Sequence, residues 1–259
     1  MPHPTMPDNH RVINAPTAVV VLIGIFMVVH FVRLVLPDRQ ALLMLLDLAF
    51  IPARYARNGE YLMAPVIPGG PGTAYWSAIT YAFVHGSLAH LAVNSLWMLA
   101  FGSVVARRLS TGRFLSLSAL CAIAGAFAHL ALHWGEMIPV IGASAAISGQ
   151  MGAAATFMFS RSSGLFDAMR EDPKRMPALG VMEILRTPNA VIFILTWVGL
   201  NILAGLFGGA WPGQSRNIAW EAHIAGFFTG MVLFRVFDHD KLRFRRRGKN
   251  LSVEKNDRA

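Results

Sequence analysis

The sequence predicts an all-α polytopic membrane protein with six transmembrane helices. Of its 259 residues, 54% are hydrophobic and only 14% are charged, and the mean hydropathy is +0.48. Soluble globular domains are more polar than this. A helix that spans a bilayer needs about 20 mainly apolar residues. The chain holds six such stretches, at about 16–36, 87–106, 114–133, 143–160, 188–207 and 219–237.

The basic residues predict one orientation for these helices. Most of the 23 Lys and Arg residues fall in a short N-terminal segment, 1–15, in the alternate loops, and in a C-terminal tail, 238–259. By the positive-inside rule, both ends of the membrane domain, 16–237, are cytoplasmic. The net charge of +9 could also indicate nucleic-acid binding. However, the run KLRFRRRGK at 241–249 lies a few residues after the last helix, which favours an anchor at anionic lipid. We expect membrane lipid as a partner and no nucleic acid.

The first segment, 16–36, is longer than the apolar region of a signal peptide, and we interpret it as a retained helix. The run ALLMLLDLAF at 41–50 is apolar but too short to span, and Asp47 interrupts it. We predict an interfacial or re-entrant segment there, with a plain surface helix as the alternative.

The lone cysteine, Cys121, offers no disulfide and no thiolate cluster, so we expect no metal and no cofactor.

Helix two opens with HGSLAHLAVN at 85–94. His90 and Asn94 are four residues apart and share one helical face, about 40° apart around the axis. Ser87 is placed to cap the helix. This face therefore presents an imidazole and an amide, both able to donate hydrogen bonds. Polar side chains in membranes often bond neighbouring helices instead, so the pair alone does not decide between packing and chemistry.

Helices four and six each carry a ridge of small residues at every fourth position. The two ridges are Ala145, Gly149 and Ala153, and Ala222, Gly226 and Gly230. Such ridges let two helices approach closely. Ser144 and His223 each adjoin the first residue of a ridge, so packing of the ridges predicts that they face each other near the outer surface. Taken singly, either residue is more often a packing residue than a catalytic one.

A hydroxyl that faces an imidazole can perform acyl transfer. His223 would accept the proton of Ser144 and later return it to the leaving amine. The oxyanion would be stabilised by the backbone N–H of Ser144 at a helix N-terminus, together with His90 and Asn94.

No acid that would orient His223 is evident. Glu221 lies two residues earlier and points about 200° away on a helix. For Glu136, in the outer loop before helix four, the sequence does not decide whether it contacts His223. We therefore favour a Ser–His dyad over a triad.

Together these motifs resemble the rhomboid intramembrane serine proteases of the bacterial type. The matching residues are His85, His90 and Asn94 in H-x4-H-x3-N, Gly142-Ala143-Ser144 with Gly149, and Ala222-His223 with Gly226 and Gly230. They lie on three helices in the family's order, and the resemblance spans about 75–237. It implies a six-helix rhomboid-like bundle with a partly embedded outer loop between helices one and two.

The resemblance also implies roles and substrates. Ser144 would be the nucleophile, His223 the general base, and His90 and Asn94 would stabilise the oxyanion. His85 matches a position that is more structural than catalytic. The substrates would be transmembrane segments of other proteins, cleaved near the outer face of a bacterial inner membrane. The oligomeric state is not indicated.

Three positions depart from the family pattern. Ala145 replaces a common glycine, Ser148 stands where an aromatic residue often packs on the catalytic histidine, and the 37–75 connection lacks a Trp-Arg pair, with Trp76-Ser77 as its nearest match.

Two other functions agree less well with the sequence. A catalytically silent rhomboid-like protein would bind or chaperone membrane helices, but such relatives have generally lost the serine or the histidine. A transporter would need polar groups through the full depth. The inner halves of helices four and six, TFMF and MVLFRVF, are nearly all apolar.

Overall fold

The computed structural model describes residues 15–56, 72–160, 172–207 and 218–238. In these ranges the chain is helical, with one antiparallel bridge between Phe50 and Val140. The helices are α1 Thr17–Val35, α2 Asp38–Leu48, α3 Thr73–Thr80, α4 Leu88–Arg108, α5 Thr111–Leu132, α6 Ser144–Met158, α7 Val181–Leu185, α8 Pro188–Phe207 and α9 Trp220–Phe237. Short 3-10 turns cover Pro52–Arg54, Tyr81–Phe83 and Pro173–Arg175.

Four helices in the described ranges, α1, α4, α5 and α8, are long and apolar enough to cross a membrane. They coincide with four of the predicted segments. Helix α6 has only 15 residues, and α9 carries Glu221 and Arg235 within its 18 residues. The all-helical membrane bundle is therefore confirmed, and the count of six crossings stays a prediction.

Helix α6 forms the centre of the bundle. Every residue from Ala145 to Met158 is buried, and α4, α5 and α9 pack around it. A helix enclosed by protein on all sides needs small residues, because neighbouring backbones must come close. The alanines and glycines of α6 meet this need.

The predicted packing of the two small-residue ridges is confirmed. A Cβ atom at Gly226 would overlap the carbonyl of Ala145, and one at Gly230 would overlap the carbonyl of Gly149. A Cβ atom at Gly149 would also overlap the side chain of Cys121 on α5 and lie 3.0 Å from the carbonyl of Gly226. The contact between α6 and α9 is therefore backbone to backbone. We call the end of the bundle where α4, α6 and α9 begin the outer end, and the opposite end the inner end.

The middle of α4 departs from regular α-helix. A π-helical turn covers Met98–Gly102, and Gly102 faces the buried side chain of Gln150 on α6, whose Oε1 lies 2.8 Å from the position of a Cβ atom. The amide of Gln150 donates to the hydroxyl of Ser118, 3.0 Å away. The widened turn and the missing side chain at Gly102 together make room for this buried amide.

The inner end is closed by a buried ion pair. The guanidinium of Arg108 on α4 donates to Asp238 Oδ2 at 2.7 Å, directly after α9. It also donates to the carbonyls of Pro173 and Met176, at 2.5 and 2.6 Å. The rings of Phe157 and Phe234 lie on its faces, with centroids 4.7 and 5.5 Å away. One side chain thus ties α4, the 3-10 turn at Pro173–Arg175, α6 and α9 together.

The loop that follows α2 docks on the outer end. Phe50 and Val140 exchange two backbone hydrogen bonds, of 3.1 and 2.8 Å, which attach this loop to the segment before α6. Arg54 donates to the carbonyls of Leu46 and Ala49 and so caps the C-terminus of α2. No residue of α2 is buried in the bundle. Whether α2 enters the membrane interface, as the sequence suggests, stays a prediction.

Candidate active site

Ser144 is the first residue of α6, and the turn before it requires glycine. Gly142 has a φ of +109°, a conformation that residues with a Cβ atom rarely adopt. Its N–H donates to the carbonyl of Tyr81 at 2.9 Å. The turn lets the chain enter α6 abruptly at the outer end, with Ser144 only partly buried. The N–H groups of the first helical turn have no partner inside a helix and are free to donate elsewhere.

His223 lies in the first turn of α9 and contacts Ser144. The close packing of Gly226 against Ala145 brings the starts of α6 and α9 together. The Nε2 atom of His223 lies 2.7 Å from the Oγ atom of Ser144, a good hydrogen-bond distance. The proximity that the ridges predict is therefore present.

Asn201 on α8 holds the other side of the His223 ring. Its Oδ1 atom lies 2.7 Å from His223 Nδ1, while its amide nitrogen donates to the carbonyl of Trp197 at 2.8 Å. Since Oδ1 can only accept, Nδ1 carries the proton of the neutral ring. The lone pair of Nε2 is then directed at the hydroxyl of Ser144, as a general base requires.

Asn201 was not among the residues selected from the sequence. Only three residues of α8 are buried: Ala190, Ile194 and Asn201. A lone amide on the buried face of an otherwise apolar helix is the signal that could have found it, because polar groups in membrane helices usually face the bundle.

His90 and Asn94 lie beside the turn that leads to Ser144. Ser87 caps α4, as predicted, by accepting from the N–H of His90 at 3.1 Å. A Cβ atom at Gly142 would lie 2.7 Å from Nε2 of His90 and 3.9 Å from the amide nitrogen of Asn94. The N–H of Gly86 is 3.4 Å from Nδ1 of His90. Accepting this bond leaves the proton of the neutral ring on Nε2, which faces the Gly142 turn.

His85 lies before α4, which begins at Leu88, and not on the helix itself. It is buried, and its ring packs 5.2 Å from the ring of His90 and 5.1 Å from that of Phe26. Its carbonyl lies 3.2 Å from Nδ1 of His30 on α1. His85 therefore supports His90 and joins the start of α4 to α1.

The two glutamates considered from the sequence bind other histidines. Glu221 lies 2.5 Å from Nδ1 of His129, in keeping with the prediction that it points away from His223. Glu136, whose contact with His223 the sequence did not decide, lies 3.0 Å from Nδ1 of His133. Among the described residues, the side chain bonded to Nδ1 of His223 is an amide.

A model of the rhomboid domain matches residues 72–238, more than half of the chain. The chain belongs to the rhomboid family. The match runs from the start of α3 to the end of α9 and contains all three motifs, so the resemblance drawn from those motifs is confirmed.

Rhomboid proteases named GlpG from Salmonella newport, Salmonella heidelberg and Salmonella agona are each 28% identical to the chain over 158 residues. The aligned region is 61% of this chain and 47% of each relative. The chain thus spans about half the length of these curated relatives. Together with its apolar helices, the family makes it a multi-pass membrane protein.

Two departures from the rhomboid pattern have a structural counterpart. Where the small Ser148 replaces an aromatic residue, the ring of His223 is held by the hydrogen bond that its Nδ1–H donates to Asn201 Oδ1. Ala145 in place of glycine is accommodated, because Gly226 and Gly125 supply the space around it.

Proposed function

We propose that the chain is an intramembrane serine endopeptidase that cleaves transmembrane segments of other membrane proteins near the outer membrane face. The observation that carries the proposal is the line of hydrogen bonds from Asn201 through His223 to Ser144, each 2.7 Å long. Membership of the rhomboid family, and relatives named as rhomboid proteases, support the same activity.

In the proposed first step, Ser144 Oγ attacks the scissile carbonyl carbon while its proton passes to Nε2 of His223. The carbonyl oxygen becomes an oxyanion. The backbone N–H of Ser144 is available to it at the start of α6, and the Nε2–H of His90 and the amide of Asn94 lie beside the adjoining turn. Preorganised donors of this kind typically contribute about 10²–10³ each to the rate.

Collapse of the tetrahedral intermediate breaks the C–N bond. His223 gives its proton to the leaving amine, and the acyl group stays on Ser144 as an ester. A water molecule, deprotonated by His223, then hydrolyses the ester and regenerates the hydroxyl. Asn201 accepts from Nδ1–H throughout and keeps the ring aligned, so it acts as a positioning residue.

The proposed location is the inner membrane of a bacterium, with both ends of the chain in the cytoplasm, as the basic residues favour. The outer end of the bundle would then face the periplasm. Ser144 and His223 are both partly exposed there, so water can reach them.

Cleavage of a single-span substrate in proteoliposomes tests the function. The wild type should release two fragments, and Ser144→Ala should release none. Ser160→Ala is the matched control, because Ser160 follows the inner end of α6 and its hydroxyl binds only the carbonyl of Phe157 among the bonds described. It should cleave like the wild type. A wild type that binds several substrates in the membrane and cleaves none would instead support a silent helix-binding protein.

A further inference from the structure

A second polar cluster lies outside the candidate active site, where the end of α5 meets the start of α9. His129 and His133 are four residues apart, and His133 directly follows the last residue of α5. Glu221 projects toward both from the first turn of α9. Its Oε1 atom lies 2.5 Å from Nδ1 of His129 and 3.6 Å from Nε2 of His133. One ligand atom from each residue fits within 4.8 Å of the other two.

The remaining nitrogen of each ring is bound to an oxygen atom. Nε2 of His129 lies 3.2 Å from the carbonyl of Ile138, and Nδ1 of His133 lies 3.0 Å from Oε2 of Glu136. A carbonyl accepts, and so does a carboxylate, so these nitrogens carry the protons of the neutral rings. The lone pairs of His129 Nδ1 and His133 Nε2 then both face Glu221. Two lone pairs and a carboxylate directed at one point repel each other unless a cation lies between them.

We propose that His129, His133 and Glu221 form a binding site for Zn²⁺. Imidazole nitrogen and carboxylate oxygen are typical zinc ligands, whereas Ca²⁺ and Mg²⁺ prefer oxygen alone. Histidines that donate their other N–H to a carbonyl or a carboxylate, as both do here, are the usual outer shell of a zinc site. Three protein ligands leave a fourth position for water, and the side chain of His133 is 30% exposed, which gives the ion a path from solvent.

The competing occupant is a proton. With His129 as an imidazolium, the short contact with Glu221 is an ordinary ion pair. That arrangement accounts for His129 but leaves Nε2 of His133 directed at the same carboxylate oxygen without a bond of normal length. A zinc ion would use all three ligand atoms once His129 Nδ1 and Glu221 Oε1 moved apart from 2.5 Å to the spacing of about 3.3 Å between two ligands of a tetrahedral zinc ion. The ion would join α5 to α9 at Glu221, two residues before His223. It would therefore hold in place the first turn of α9, which carries His223, the proposed general base.

This proposal differs from the expectation that the chain binds no metal. The spacing His-x3-His at 129–133 is a zinc-ligand pattern on a helix. The sequence does not reveal its third ligand, because Glu221 lies about 90 residues away on another helix and meets the histidines only through the packing of α5 against α9.

Zinc binding to the full-length chain tests the proposal. The protein is purified without a polyhistidine tag, stripped with a chelator, and titrated with ZnCl₂ against a chromophoric chelator. The wild type should bind one zinc ion per chain, and saturating zinc should raise its thermal unfolding temperature. His133→Ala removes a partly exposed ligand at a helix end and should fold, yet it should lose the tight site. Glu136→Gln keeps all three ligands and should weaken binding by about 10- to 100-fold.

Two controls locate the ion. His10→Ala removes a histidine from the N-terminal segment and should bind zinc like the wild type. His223→Ala should also keep the tight site, because the proposed ion does not contact the catalytic pair. The proposal is overturned if the wild type binds no stoichiometric zinc, if folded His133→Ala binds as tightly as the wild type, or if folded His223→Ala loses the site.

Discussion

The two ends of α9 use polar side chains in opposite ways. At the outer end, His223 is partly exposed and has one hydrogen bond on each side of its ring, to Asn201 and to Ser144. At the inner end, Asp238 is buried against Arg108, whose guanidinium also binds two carbonyls and lies between two aromatic rings. The Ser144–His223 pair is thus within reach of solvent, whereas the inner ion pair is enclosed.

This contrast suggests that the two ends of α9 differ in role, with chemistry at the outer end and stability at the inner end. The Ser144–His223 pair should be needed for chemistry and contribute little to stability, because both side chains are partly solvated. The inner ion pair should be needed for stability, because an unpaired buried charge is costly. Four single variants and one double variant test this difference, and the largest effect is expected at the outer end.

Replacement of His223 by alanine should remove the chemistry and leave the fold. Without a base at Ser144 Oγ, kcat/KM should fall by about 10⁴-fold or more. The thermal unfolding temperature in detergent should stay close to that of the wild type. Cleavage kinetics and thermal unfolding on the same preparation check both parts, and a variant that retains a tenth of the activity would contradict the role of His223.

Replacement of Arg108 by methionine should have the reverse effect. Asp238 would remain buried without its partner, so the free energy of unfolding should fall by about 3–5 kcal/mol. Activity per folded molecule at low temperature should change little. Reversible unfolding in mixed micelles measures the loss. Arg186→Met, at an exposed position two residues before α8, serves as the control and should shift stability by about 0.5 kcal/mol or less.

The double variant Arg108→Met with Asp238→Leu sharpens this prediction. Removal of both charges should restore much of the stability lost in the single variant, because no unpaired charge remains. A double variant as unstable as Arg108→Met would show that the carbonyl and ring contacts, and not the ion pair, stabilise the inner end.

Replacement of Asn201 by alanine should lower kcat by about 10- to 100-fold, because the His223 ring loses the partner that aligns it. KM should change much less, since Asn201 acts through the ring and not on the substrate. Asn201→Asp keeps an acceptor at Nδ1 and should recover part of the rate. Asn189→Ala, at an exposed position on the same helix, is the control. Equal kcat in Asn201→Ala and in the control would exclude the positioning role.

Replacement of Gly230 by alanine should affect both ends modestly. The added methyl group would press on the carbonyl of Gly149 and separate α6 from α9, at a cost of about 1–3 kcal/mol in stability. The Ser144–His223 contact should loosen as well, with a measurable loss of kcat. Gly199→Ala is the matched control, since nothing lies within 4 Å of its Cβ position. Identical behaviour of the two variants would mean that the ridge contact is not tight.

The sequence predicted much of this arrangement. The ridges on helices four and six were enough to predict that Ser144 and His223 approach each other, because periodic small residues define a contact face. The cap at Ser87 and the direction of Glu221 followed from helical geometry. These inferences depend only on spacing within one helix or on matched patterns between two.

The residues that the sequence did not reveal are those whose partners depend on how helices are rotated in the bundle. Asn201 bonds to His223 only because α8 turns that face inward. Likewise, the spacing of two residues excluded His223 as a partner of Glu221. It could not identify the actual partner, His129, which belongs to another helix. The role of Arg108 depended on Asp238, 130 residues away. Single-sequence periodicity carries no information about such pairings.

The most direct test of the account is the reaction of the chain with a fluorophosphonate probe in proteoliposomes, with the modified residue located by peptide mass spectrometry. Ser144 should be labelled in the wild type, and labelling should fall to background in His223→Ala while the variant remains folded. Equal labelling of Ser144 in the two proteins, or modification of a different serine, would contradict the claim that His223 activates Ser144.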